Sequence, residues 1–306
     1  MKTTFLFPGQ GSQYAGMLQE FNSADPIVAE VYSAVQNHTG LNPQGVDSDD
    51  QLKSTINVQL CLLISGVISA KLLLRSNINP DFLAGHSVGV FSAAVISNVI
   101  SFEDALDLVS IRAKMMEEAY PFGYGMAAIV GFSEKHLKEL LTLNDLDKKL
   151  FIANNNAADQ QVIAGSLDAI NFFIPILQRG GARKVQLLNV SVPSHCELLN
   201  YVSFALKNRF ETIKIDQPKY PCISNHTGRL LRTEYAIRED LFKSISETVR
   251  WYEGTTLLYE LGSRFFIEMS PSGVLTKIAR TTFPNAYVYA FENQNIETLR
   301  WLYDSY

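Results

Sequence analysis

Five residues, Gly85-His86-Ser87-Val88-Gly89, constrain this chain more than any others. They read Gly-x-Ser-x-Gly, the spacing of a nucleophile elbow. In an elbow a serine stands on a sharp strand-to-helix turn, with its hydroxyl over the end of a sheet. The two glycines are a steric demand, because the turn brings backbone too close for a β-carbon on either side. The flanks agree with that context. Asp81-Phe82-Leu83-Ala84 is a short apolar run suited to a buried strand, and Val90 to Asn98 places Ala93, Ala94, Val95 and Ile96 as a packed helix would. About one chain in ten of this length would carry the pattern by chance, so the other residues must decide.

At 306 residues there is ample core for one large domain or two smaller ones. A hydrophobic content of 47% with 19% charged residues is that of an ordinary soluble globular protein. The net charge of −5, with no long basic run, argues against nucleic acid as the main partner. Cys61, Cys196 and Cys222 are widely spaced and form no CxxC pair. That disfavours a disulfide framework and a cysteine-built metal site, so no metal is expected, and it fits a reducing, cytoplasmic compartment. Phe5-Leu6-Phe7 is too short for a signal-peptide core, and Pro8 follows at once. The apolar stretch Leu60 to Leu74 contains Lys71, and Phe82 to Phe102 contains His86, several serines and Asn98. Both read as buried core rather than membrane spans.

Taken in order, Thr3 to Phe7 reads as a first strand running into the loop Pro8-Gly9-Gln10-Gly11-Ser12-Gln13. The lysine and spacing of a phosphate-binding loop are absent. The loop is suited instead to carrying backbone amides and Gln10 to the end of a parallel sheet. Asp25 to Asn37 has helical spacing, Asp50 to Asn57 reads as polar helix or loop, and Val58 to Leu74 as a strongly apolar helix. Gln59 either faces a site or caps the start of that helix. Ser101 with Asp104 resembles a capping box opening a helix through about Ala119. Arg112 on that helix has two readings. It is a snorkelling side chain or half of an ion pair, or a guanidinium fork aimed at a carboxylate in a dry pocket.

From Gly123 the pattern changes. Strand-like Met126 to Val130, Leu150 to Asn154, Gln161 to Ala164 and Arg183 to Leu188 alternate with helical Ser133 to Leu141 and Leu167 to Arg179. That order, βαββαβ, is the signature of a ferredoxin-like unit. The expected fold is therefore α/β. A large α/β-hydrolase-like domain with a parallel sheet, residues 1–123 and 193–306, carries the elbow, and a small ferredoxin-like subdomain, residues 124–192, is inserted into it. Of the five histidines, His38 and His136 read as solvated and His226 as a turn residue. His195, in the loop Val192-Pro193-Ser194-His195-Cys196, is the best-placed partner for an elbow serine. Tyr252 to Leu261 then reads as a helix, Arg264 to Met269 as a strand, and Ser270-Pro271-Ser272-Gly273 as a turn into a helix from Val274.

This ordered set resembles the malonyl-CoA:acyl carrier protein transacylase family. It is carried by Phe7-Pro8-Gly9-Gln10-Gly11-Ser12-Gln13, the elbow, Arg112 and Val192-Pro193-Ser194-His195, with Asn154-Asn155-Asn156 and Glu268-Met269-Ser270-Pro271 extending it along nearly the whole chain. Within the family, Tyr120 to Gly131 and Val249-Arg250-Trp251 look closest to the malonate decarboxylase epsilon subunit. A stand-alone transacylase of fatty acid or polyketide synthesis is the alternative.

The resemblance implies a Ser–His dyad without a triad acid, with Ser87 as nucleophile and His195 as base. It implies an oxyanion held by the backbone N–H groups of Gln10 and Val88. It also implies Arg112 as the group that binds the free carboxylate of malonyl-CoA, the substrate. No bound cofactor is expected. The acceptor would be an acyl carrier protein, in the first reading beside malonate decarboxylase subunits. Many fatty-acid-synthesis members carry glutamine where this chain has Arg250, and in them carbonyl oxygens of that neighbourhood hold the histidine. The rival class is a serine thioesterase or hydrolase, which shares the elbow and the Ser-before-His order.

Overall fold

Why the first strand is buried on both faces follows from its place in the sheet. The computed structural model describes residues 1–190 and 192–305; residue 191, inside the expected insertion, lies outside the described residues. In it β1 (Lys2–Phe7) has neighbours on both edges and helices on both sides, so apolar residues run through it without alternation. The chain then forms α1 (Pro26–Thr39) and α2 (Thr55–Arg75). Asp25 caps α1 by accepting from the Ile27 N–H at 2.9 Å, and Pro26 supplies its first turn. Of the stretch Asp50 to Asn57, read as polar helix or loop, the first part makes a 3₁₀ turn, Gln51–Lys53, and the last three residues already belong to α2. α2 is long and apolar enough to cross a membrane, but most of it is packed inside the fold on every face.

β2 (Phe82–Gly85) lies parallel to β1 and delivers the elbow, which opens directly into α3 (Gly89–Ile96). α4 (Phe102–Ala119) starts at Ser101, whose Oγ accepts from the Asp104 N–H at 3.0 Å. The expected reciprocal contact differs in detail. The Ser101 hydroxyl, not its backbone N–H, donates to Asp104 Oδ2.

The next stretch builds a sheet of its own from β3 (Tyr124–Val130), α5 (Glu134–Leu143), β4 (Leu150–Ala157), β5 (Gln160–Ser166), α6 (Leu167–Arg179) and β6 (Lys184–Leu187). Its order is β4-β5-β3-β6, antiparallel throughout. One face packs Ile129 and Ile163 against Leu137 of α5 and Phe173 of α6. The other face turns Met126, Ala128 and Val162 towards the elbow.

The return to the larger sheet contains elements with no counterpart in the sequence expectations. These are α7 (Asn200–Arg209), the two-residue strands β7 (Cys222–Ile223) and β8 (Leu230–Leu231), and α8 (Glu234–Lys243). Then come α9 (Trp251–Glu260), β9 (Ser263–Glu268), α10 (Val274–Thr282), and the unexpected β10 (Tyr287–Ala290) and α11 (Ile296–Ser305). The completed sheet runs β10-β9-β1-β2-β7-β8, parallel except at β8. The two sheets are joined at residues 248–250. The Asn155 N–H donates to Val249 O at 2.9 Å, the Val249 N–H to Ala153 O at 2.8 Å, and Thr248 Oγ1 to Ile152 O at 2.7 Å.

Candidate active site

The elbow is as crowded as its sequence requires. A β-carbon on Gly85 would lie 2.3 Å from the Gly89 carbonyl carbon, and one on Gly89 would lie 2.2 Å from Phe7 O. Glycine at these two places lets β1, β2 and α3 meet. Ser87 itself sits at φ 54°, in the left-handed region that costs a β-carbon-bearing residue of order 1–3 kcal/mol unless its surroundings hold it there.

His195 also lies in that region, at φ 62°. Its N–H donates to Ile245 O at 2.8 Å, and the residue is 3% exposed. Nδ1 faces the carbonyl oxygen of Ser244, which can only accept, so Nδ1 carries the proton. Nε2 is left with its lone pair towards Ser87 Oγ, 2.8 Å away. Burial first, and then the Arg112 charge, push the imidazole down to about 3. It is therefore a neutral acceptor at physiological pH.

Arg112 is 1% exposed. The ion-pair reading fails: among the described residues no carboxylate lies within salt-bridge distance of it. Nη1 donates to Gln59 Oε1, Nη2 lies 3.2 Å from Ser87 Oγ, and Nε is buried with no partner. Gln59, whose alternatives were a site residue or a helix cap, thus belongs to the site. Burial lowers the guanidinium to about 9, so it remains a cation near neutrality. A buried cation without an anion is expensive unless something else supplies the charge.

A cleft of about 480 Å³ opens over these groups. Its walls include Gln10, His86 and Ser87 from the loops that leave β1 and β2, Met126 and Asn156 from the small sheet, and Ile278 from α10. The N–H groups of Gln10 and Val88 donate to no acceptor among the described residues. His86 Nε2 lies 3.1 Å from Asn156 Oδ1, to which its N–H donates, and the ring is held edge-on by Trp251. No cluster of three or more His, Cys, Asp or Glu side chains that could hold a metal occurs among the described residues.

Arg250 does not hold the histidine. Its Nη1 pairs with Glu134 Oε2 of α5 at 2.7 Å, across the junction of the two sheets. His226 sits in a turn as expected, but its Nδ1 also meets the buried Asp240 at 2.7 Å. Two contributors escaped the sequence reading. The Ser244 carbonyl is a backbone group and leaves no mark in a sequence. The other is Asn225, whose Oδ1 accepts the Ser87 N–H at 2.9 Å.

With this geometry in hand, the chain can be compared with known proteins. The acyl transferase domain family matches residues 4–300. The malonyl CoA-acyl carrier protein transacylase of Bacillus subtilis (strain 168) is 32% identical over 284 residues, covering 91% of this chain and 90% of that protein. Among solved structures, the malonyl CoA-acyl carrier protein transacylase of Coxiella burnetii superposes with a TM-score of 0.93 at 29% identity, over 99% of this chain and 97% of that one. A chain from the complex of a type II PKS acyl-carrier protein with its malonyl-transacylase matches with a TM-score of 0.88 at 29% identity, over 95% of each.

Proposed function

The chain belongs to the acyl transferase family, and from that premise we propose that it moves malonyl from malonyl-CoA, through an ester on Ser87, to the thiol of an acyl carrier protein. The observation that carries this reading is the contact of Ser87 with His195 beside a buried guanidinium that has no protein carboxylate of its own.

In this reading Ser87 Oγ gives its proton to His195 Nε2 as it attacks the thioester carbonyl. The developing oxyanion sits between the N–H groups of Val88 and Gln10, where loss of one donor costs about 2.7–4 kcal/mol. Collapse expels the CoA thiolate, which takes the proton back from the imidazolium and leaves malonyl on the serine. The carrier's phosphopantetheine-type thiol then gives its proton to the same nitrogen and attacks the ester; collapse expels Ser87 Oγ, which takes that proton back and leaves malonyl on the carrier as a thioester. Arg112 receives the free carboxylate, a charge-assisted contact worth about 1.5–3 kcal/mol. That favours malonyl over acetyl by roughly tenfold to a hundredfold.

The names of the relatives support the setting of a malonyl-CoA:acyl carrier protein transacylase over that of a malonate decarboxylase, and the carrier complex among the structural matches points the same way. The small unit, residues 124–192, reads as ferredoxin-like on its βαββαβ order and antiparallel sheet, and the larger lobe as hydrolase-like on its elbow at the end of a parallel sheet. The three buried free thiols support a reducing, cytoplasmic setting. The deciding assay follows CoA release from malonyl-CoA with and without a phosphopantetheinylated carrier. Sustained release only with carrier, and malonyl on the carrier by mass spectrometry, is the expected result. Equal release without carrier would make the protein a hydrolase.

A further inference from the structure

Asn225 stands where the parallel ladder between β2 and β7 runs out. The last pairing brings Leu83 opposite Cys222, with the Leu83 N–H donating to Pro221 O at 3.0 Å. Were β7 to continue, the backbone of Asn225 would supply the next rungs: its N–H to Gly85 O, and its C=O to the Ser87 N–H. Neither happens. The Asn225 N–H donates to Asp240 Oδ2 at 3.0 Å, and its C=O accepts from the Arg250 N–H at 2.6 Å. The side-chain amide takes both vacated places. Nδ2 donates to Gly85 O at 2.6 Å, and Oδ1 accepts from the Ser87 N–H at 2.9 Å.

One carboxamide therefore grips the peptide planes on both sides of His86, immediately before the serine enters the left-handed region. The grip is itself anchored. Asp240, 3% exposed, also accepts from Ser224 Oγ at 2.6 Å and meets His226 Nδ1 at 2.7 Å. Aspartate at position 225 would oppose an acceptor to Gly85 O, and alanine would leave both backbone groups unmatched.

We infer that Asn225 is a positioning residue for the acyl transfer: it sets the backbone turn that aims Ser87 Oγ at His195. The inference rests on the reading of Ser87 as the nucleophile. It touches neither the acyl group nor the reacting atoms, so its effect falls on the rate of acylation and not on substrate binding.

The test is rapid-mixing measurement of Ser87 acylation by malonyl-CoA in Asn225→Ala and in the near-isosteric Asn225→Asp, beside Ser87→Ala. The expected result is an acylation rate about tenfold to a hundredfold lower, with half-saturation by malonyl-CoA within about twofold of the parent because Arg112 and the cleft are intact. If Asn225→Ala does not fold, the Asp variant decides. Parental acylation in either folded variant, or a loss carried wholly by weaker binding, overturns the inference. Persistent labelling in Ser87→Ala would instead remove the serine from the mechanism, which is a separate failure.

Discussion

The carbonyl oxygen of Ser244 accepts the Nδ1 proton of His195, taking the place that a carboxylate holds in a Ser-His-Asp triad. A carbonyl fixes the same tautomer but brings no negative charge to stabilise an imidazolium. The contact raises the imidazole's basicity, but burial and then the Arg112 charge outweigh it and carry the value down.

A pH profile reads this directly. A histidine at its ordinary value of 6.5 would give an inflection in the acylation rate near that pH, whereas one pushed down to about 3 stays unprotonated far into acid. The rate constant for acylation at low malonyl-CoA should therefore be flat from about pH 8 to about pH 5. The stability sign follows from the same shift. The unfolded chain binds a proton at 6.5 that the folded site refuses, so this residue lowers stability as pH falls below 6.5. Thermal melts across that range check it. A distinct inflection in the acylation rate near 6.5 would contradict the burial argument.

Arg112→Ala should lower malonyl transfer by roughly tenfold to a hundredfold while leaving acetyl transfer equal or higher. It also removes the charge that helps depress His195, so any acid inflection should move upward. Competition between malonyl-CoA and acetyl-CoA measures the first effect. Equal loss for both substrates would make Arg112 a packing residue.

Arg250→Gln should leave acylation within about threefold of the parent, because the histidine is held by backbone oxygens and not by this side chain. The loss should appear in stability instead. The half-buried pair with Glu134 disappears, at a cost of about 1–2 kcal/mol, read in a denaturant melt.

Gly89→Ala places a β-carbon 2.2 Å from Phe7 O and 2.9 Å from Pro8 O, both backbone atoms that cannot step aside. The end of β1 and the start of α3 must part, which displaces the Gln10 loop from the serine. Overpacking of this kind costs about 1–3 kcal/mol. Acylation should fall by more than about tenfold, and a parental rate would show that the loop tolerates the shift.

What the sequence revealed, and what it hid, divides along physical lines. Ser87 and the apolar strand before it were legible because an elbow imposes residue types at fixed spacing. Arg112 was legible as a lone cation among Leu108, Val109 and Met116, but its two readings could be separated only by its missing partner. The βαββαβ order showed in strands long enough to carry a pattern. β7 and β8 hold two residues each, too few for any period. α8 had a readable start, since Thr233 caps it at the Ala236 N–H, and β10 alternates buried with less buried residues. The Ser244 carbonyl and the Asn225 carboxamide act through where their chains end up, and no local pattern announces that.

The junction at residues 248–250 bears on protein engineering. The segment that presents the Ser244 and Ile245 oxygens to the imidazole runs, within a few residues, into the backbone pairs formed by Val249 with Ala153 and Asn155. Grafting the smaller lobe of a relative onto this scaffold to alter acyl preference would swap the surface on which the base's holder rests. A working chimera must bring residues 248–250 along with its new lobe.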